Sequence, residues 1–173
     1  IRNRIASVSS TMQITSAMKM VSAAKLKKAQ DAITAMRPYA NTLTELLQNL
    51  SGSIEDASGS AYANERPVEK VLLVAITSNR GLCGGFNSSI IKEIITQRNG
   101  VYAGKQVEVF TIGKKGNDIL SKEFTVADNC GDVFDDLTFA NVAAVADQLM
   151  ELYASGAYDR IDLVYNLSLI HIS

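Results

Sequence analysis

Three groups of side chains have types and spacings that could do chemistry. The first is Ser78–Asn87, SNRGLCGGFN, where Gly81, Gly84 and Gly85 surround Cys83. Glycines between an apolar run and a helix can bring backbone N–H groups to a phosphate. A dinucleotide site wants GxGxxG, and a nucleoside-triphosphate loop wants a closing Gly-Lys-Ser/Thr. Neither pattern is present. The glycines more simply allow a tight turn, and Asn87 is expected to cap the helix that follows.

The second group is the cysteines. Cys83 could act as a nucleophile only beside a base, and the single histidine, His171, stands at the far end of the chain. No Cys/His or Ser/His/Asp arrangement results. Cys130 lies in ADNCGD, where Asp128 and Asp132 disfavour a thiolate, so it reads as a packing residue. Two cysteines form neither a disulfide framework nor a metal-ligand spacing, and a reducing compartment is the natural reading. The third group, Asp128, Asp132, Asp135 and Asp136, misses the calcium-loop pattern. A helix N-terminus suits Asp135 and Asp136 better. No catalytic residue, cofactor or metal is expected.

These groups need elements to hold them. Val71–Ile76 is a nearly continuous apolar run, as in a strand buried on both faces of a parallel sheet. A helix is expected from about Asn87 to Arg98, a strand over Val107–Ile112 and a helix from about Lys114 to Phe124. After an irregular acidic segment come a helix from about Thr138 to Ala154 and a strand over Ile161–Tyr165. Strand and helix alternate, which predicts a small doubly wound, Rossmann-like α/β domain over 67–166. Residues 51–66, SGSIEDASGSAYANER, have almost nothing to bury and read as a linker.

Residues 1–50 are different. Steps of four and three from Ile1 land on Ile5, Val8, Met12, Thr15, Lys19, Ser22, Leu26, Ala29, Ile33, Met36, Ala40, Leu43, Leu47 and Leu50. Only Thr15, Lys19 and Ser22 break the apolar seam, a spacing that belongs to a coiled-coil face. At the break Ile14, Ala17, Met18, Val21 and Ala24 carry the stripe one position earlier, so the face rotates there. Pro38 is expected to bend the helix without stopping it. At about 1.5 Å per residue the stretch spans about 75 Å. A domain of about 100 residues has a radius of gyration near 13 Å, so much of the seam needs a partner outside the domain.

The chain has 173 residues, 47% apolar and 20% charged, with a net charge of −1 that hides an asymmetry. Arg2, Arg4, Lys19, Lys25, Lys27, Lys28 and Arg37 stand against Asp31 and Glu45, making the helix +5 and leaving −6 for the rest. A basic stripe can serve nucleic acid, an anionic membrane or an acidic protein surface, or simply be a solvated face. Without interleaved aromatics, nucleic acid is not the expected partner. No apolar run is long enough for a membrane span, so direct membrane insertion is not expected.

IRNRIASVSSTMQITSAMKMVSAAKLKKAQ at the start, MRPYA around Pro38 and SNRGLCGGFN after the first strand together resemble the gamma subunit of the bacterial F-type ATP synthase. The similarity runs from Ile1 to about Asn166. The resemblance implies a non-catalytic central-stalk rotor that couples proton flow to ATP synthesis on the beta subunits. Its long helix would pair with a C-terminal helix in an antiparallel coiled coil, with Ile5, Val8, Met12, Leu26, Ile33, Met36, Leu43 and Leu47 in the seam. Implied partners are the alpha and beta subunits of the catalytic ring, the epsilon subunit and the membrane c-ring. The implied location is peripheral, on the cytoplasmic face of the bacterial inner membrane. Carried over by position, Met18, Lys19, Val21, Lys25, Lys27 and Lys28 face an acidic lever loop of the beta subunit. Arg80, Cys83 and Lys92 approach the same loop. The family sequence continues past the strand Ile161–Tyr165, and LSLIHIS, residues 167–173, is unlike it and is expected to be a non-native tail. An alternative from the residues alone is a helical adaptor that homodimerises through the seam and binds a small ligand on its α/β domain.

Overall fold

A computed structural model describes residues 1–53, 62 and 66–167. The chain divides into two compact units, Ile1–Ala57 and Ser58–Ser173.

Among the described residues the first unit is a single helix, α1 (Arg2–Ser53), which continues through Pro38. Alanine-rich sequence favours it, and several of its threonine hydroxyls bond back to its own carbonyls. Thr11 and Thr15 donate to the Ser7 and Thr11 carbonyls at 3.0 and 2.8 Å, and Thr42 donates to the Pro38 carbonyl at 3.0 Å. With 52 residues, α1 is about 78 Å long. It runs past the Leu50 boundary read from the sequence, so the expected linker begins later than residue 51. Residues 54–61 and 63–65 of that linker, and 168–173 of the expected tail, lie outside the described residues. The seam residues Ile5, Val8, Met12, Leu26, Ile33, Met36, Leu43 and Leu47 are exposed, from 43% at Leu43 to 66% at Met12 and Met36.

The second unit is a three-layer α/β domain. Its elements are β1 (Lys70–Ile76), α2 (Phe86–Asn99), β2 (Gln106–Ile112), α3 (Lys114–Leu120), β3 (Val126–Asn129), a 3-10 turn (Gly131–Phe134), α4 (Phe139–Ala154) and β4 (Arg160–Val164). The strands form one sheet in the order β3-β2-β1-β4, every pair parallel, with Val74 opposite Phe110 and Leu163. β1 is central, so Val71 to Ala75 are all inaccessible. Alternation along the strand splits them between two faces. Val71, Leu73 and Ala75 pack with Ile90, Ile91 and Ile94 of α2 and Leu120 of α3. Leu72 and Val74 pack with Phe110 and Tyr158, against which Val145, Leu149 and Leu152 of α4 are laid.

Two boundaries differ from expectation. α3 stops at Leu120 instead of reaching Phe124, and residues 121–124 form turns that fold Phe124 back into the core. The segment read as irregular contains β3, a four-residue edge strand whose register slips between Val109 and Phe110 of its neighbour. VADN has too few apolar positions for a period-two signal, and its pairing to β2 comes from tertiary position.

Candidate interaction surface

The glycine loop begins where β1 ends, at the carboxyl edge of the sheet. Thr77 N–H donates to the Ile112 carbonyl at 2.8 Å, while Thr77 Oγ1 accepts from Gly116 N–H at 2.9 Å. This close approach depends on Gly113, whose φ is 114°. A Cβ there would stand 2.3 Å from the Thr77 carbonyl oxygen. Asn79 then joins three segments: its Oδ1 accepts from Lys114 N–H and its Nδ2 donates to the Gly131 carbonyl, both at 2.9 Å. Thr111 Oγ1 is shared with Asn117 Oδ1 and Asn129 Oδ1 at 3.3 and 3.1 Å. Across the β1/β4 boundary, where a doubly wound sheet reverses its strand order, Asn166 Nδ2 donates to the Phe86 carbonyl at 2.7 Å. The polar groups at this edge are committed to one another.

Within the loop, Asn87 does not cap α2. The helix starts one residue before it, with Gly85 preceding Phe86 and no side-chain cap. Helical side chains lean toward the N-terminus, which carries Asn87 back over the loop. Its Oδ1 accepts from Ser78 N–H at 3.0 Å, and its Nδ2 donates to Ser78 Oγ at 3.0 Å and Cys83 Sγ at 3.1 Å. Ser78 Oγ donates to the Arg80 carbonyl at 2.5 Å. Gly84 takes φ 58°, the turn geometry anticipated for these glycines. Leu82 takes φ 59° with no such excuse, which the sequence did not signal.

The loop thus has a fixed base and an exposed rim of Arg80, Leu82 and Cys83. Arg80 and Cys83 share this rim, with Cys83 Sγ 3.9 Å from the Arg80 carbonyl oxygen. Lys92 is exposed on α2, the helix the loop feeds. On α1, Met18, Lys19, Val21, Lys25, Lys27 and Lys28 are all exposed. Spacings of three and four put Met18, Val21, Lys25 and Lys28 on one side, whereas Lys19 and Lys27 point elsewhere around the rod.

The other candidate groups have structural partners. Burial, with Asp128 and Asp132 adding to it, pushes the Cys130 thiol up. Asp128 Oδ2 accepts from Gln148 Nε2 at 2.7 Å. The cap of α4 is Thr138, not Asp135 or Asp136. Its hydroxyl accepts from Asn141 N–H at 3.4 Å, while the Asp136 carbonyl and carboxylate accept from Asn141 Nδ2 at 2.8 and 3.2 Å. Among the described residues no three metal-ligating side chains converge.

Toward the amino edge of the sheet are carboxylate clusters that sequence reading missed. Glu108 accepts from Tyr158 Oη at 2.6 Å and pairs with Lys70 Nζ at 3.2 Å. Burial pulls Glu108 upward, yet the hydrogen bonds from Tyr158 and Lys70 outweigh it and hold the carboxyl low. Asp162 accepts from Tyr102 Oη and pairs with Arg160 Nε at 3.0 Å. Burial, then the bond to Asp162, pushes the Tyr102 phenol up to about 12. Asp159 Oδ2 receives the Glu69 and Lys70 N–H groups at 3.0 and 2.8 Å, which hold its carboxyl below its usual value. Nothing local in the sequence pairs residues so far apart.

An open groove of about 780 Å³ runs beside β4, lined by Tyr62, Arg66, Met150, Tyr153 and Leu163 among others. Arg66 stacks 4.4 Å from the Tyr153 ring and donates to the Tyr153 carbonyl at 2.7 Å. No helix among the described residues is long and apolar enough to cross a membrane.

Residues 1–171 match a family model described as ATP synthase. The ATP synthase gamma chain of Flavobacterium johnsoniae is 70% identical over 166 residues, covering 96% of this chain and 58% of the relative. That of Flavobacterium psychrophilum is 66% identical with the same coverage, and that of Cytophaga hutchinsonii is 43% identical over 171 residues. The chain therefore spans 58% of the length of these curated relatives. Among solved structures, a chain from the central stalk and c-ring of the Tetrahymena thermophila mitochondrial ATP synthase superposes with a TM-score of 0.66. It is 30% identical, with 92% of this chain and 68% of that chain covered.

Proposed function

The chain belongs to the ATP synthase gamma-chain family, and from that premise we propose that it is the central-stalk rotor subunit of an F-type, proton-transporting ATP synthase. In this role it carries torque between a proton-driven membrane c-ring and a ring of alpha and beta subunits, and nucleotide chemistry belongs to the beta subunits. Its station is peripheral, on the cytoplasmic face of the bacterial inner membrane, and the epsilon subunit meets the α/β domain.

One observation carries the reading. α1 is 52 residues long, and its heptad seam is exposed from Ile5 to Leu47. Ile5, Val8, Met12, Leu26, Ile33, Met36, Leu43 and Leu47 match the demand of a second, antiparallel helix, since a coiled-coil seam is stable only when both sides are filled. The pair would be a stiff shaft inside the ring.

The proposed contact surface has the chemistry of a moving bearing. Lys25 and Lys28, with Met18 and Val21 between turns, would face an acidic lever loop of the beta subunit, with Lys19 and Lys27 flanking the contact. Arg80, Cys83 and Lys92 would meet the same loop. Exposed ion pairs contribute about 0–1 kcal/mol each, so several can guide a rotor without trapping it in one position. A single deeply buried pair would cost several times more to break, at about 3–5 kcal/mol.

Mixing the chain with alpha and beta subunits and measuring sedimentation tests the role. One copy entering each alpha/beta ring supports it. A homodimer that ignores both subunits would favour instead an adaptor that pairs through its own seam.

A further inference from the structure

Leu82 is the one described non-glycine residue with a positive φ, and the residue is fully exposed. In this backbone region Cβ crowds the following carbonyl oxygen, so an L residue stays there only when its surroundings enforce it. Here they do. Ser78 Oγ holds the Arg80 carbonyl at 2.5 Å on one flank. On the other, Asn87 Nδ2 holds Cys83 Sγ at 3.1 Å, and the Cys83 carbonyl accepts from Phe86 N–H at 3.3 Å. The loop therefore forces an unfavourable conformation on a leucine whose side chain packs on nothing in its own chain. Asn and Gly adopt this conformation with less strain, and a polar or absent side chain would suit a solvated tip.

An apolar group on a rigid mount has lost its conformational freedom before any partner arrives, which is how preorganisation raises affinity. Beside it stands Arg80, exposed and without an ion pair among the described residues. An apolar anchor flanked by a cation fits an apolar pocket with carboxylates on its rim, the usual division between the core and edge of an interface. We propose that Leu82 is the apolar anchor of the glycine-loop surface, seated in a pocket of the beta subunit whose rim carboxylates face Arg80. This inference rests on the rotor reading above.

The test measures two properties of the same variants. Leu82→Asn and Leu82→Gly relieve the backbone, so each should melt at the parent temperature or up to about 4 °C above it. Each should bind the alpha/beta ring about tenfold or more weakly, the loss expected for a buried leucine side chain. Leu82→Met keeps the apolar volume and should bind more tightly than either. Opposite movement of stability and affinity supports the anchor. Variants that melt lower than the parent overturn it, because the side chain then serves the fold. So do variants that bind as well as the parent while the parent binds normally. If the parent itself fails to bind the ring, the rotor reading fails and the anchor falls with it.

Discussion

Substituting Gly113 by alanine should damage the fold far more than the same change at another positive-φ glycine. Gly113 sits at φ 114° and ψ 137°, a region closed to residues with a side chain. Its added Cβ would meet the Thr77 carbonyl oxygen at 2.3 Å, the Thr77 carbonyl carbon at 2.7 Å and Thr77 Oγ1 at 2.8 Å. Two of those atoms are backbone at the end of the central strand, so they cannot swing away. Backbone strain of about 1–3 kcal/mol adds to overpacking of about 1–3 kcal/mol, for a total of roughly 2–6 kcal/mol. Gly104→Ala is the control. Its φ is 79°, but nothing lies within 4 Å of the added Cβ, so only about 1–2 kcal/mol of backbone cost applies. Urea unfolding followed by circular dichroism reads both variants. At the middle of these ranges Gly113→Ala should lose about 2–3 kcal/mol more than Gly104→Ala, with the linear slope unchanged. Equal losses would refute the view that contact with Thr77 fixes the base of the glycine loop.

Other consequences can be measured directly. Alkaline unfolding should reveal Tyr102. Its folded-state pKa of about 12 lies above the ordinary phenol value near 10, so its contribution is complete below pH 10 and lost as pH rises toward 12. Tyr102→Phe should flatten that limb of a pH–stability curve, and an unchanged limb would count against the pairing with Asp162. On α1, the double change Lys25→Glu and Lys28→Glu should leave the unfolding free energy of the isolated chain within about 0.5 kcal/mol of the parent's. It should weaken association with the alpha/beta ring most at low salt, where screening is least. Salt-independent binding equal to the parent's would remove the electrostatic part of the contact.

What could be read from the sequence was whatever repeats or runs continuously. The seam from Ile5 to Leu47 spans enough heptads to specify a helix and its unfilled face. Val71–Ile76 specifies a central strand because every position is apolar. Alternation of strands and helices then leaves few topologies, and the order β3-β2-β1-β4 is one of them. Features set by a single tertiary contact stayed hidden. Asn87 looks like a cap, but starting α2 at Phe86 turns it into the clasp of the loop. Asp135 and Asp136 look like caps, yet Thr138 occupies the position with extended backbone that a cap requires. Leu82 carries no sequence mark of its left-handed conformation, since local preference puts glycine or asparagine there and not leucine. The pairing of Glu108 with Tyr158 and of Asp162 with Tyr102 arises only when the strands are side by side.

The rotor assignment is tested most directly by watching the chain move while ATP is hydrolysed. Lys105 precedes β2 at the end of the sheet opposite the glycine loop and is exposed, so Lys105→Cys offers a labelling site. It is best placed in a Cys83→Ser background, because Cys83 is exposed, whereas Cys130 is half-buried with its thiol pushed up. A rigid fluorophore there, in a complex immobilised through its alpha/beta ring, reports orientation by polarised emission. The rotor account predicts stepwise, one-directional reorientation that starts with ATP and stops when ATP is exhausted. A dipole that stays fixed while the same complexes hydrolyse ATP would contradict it.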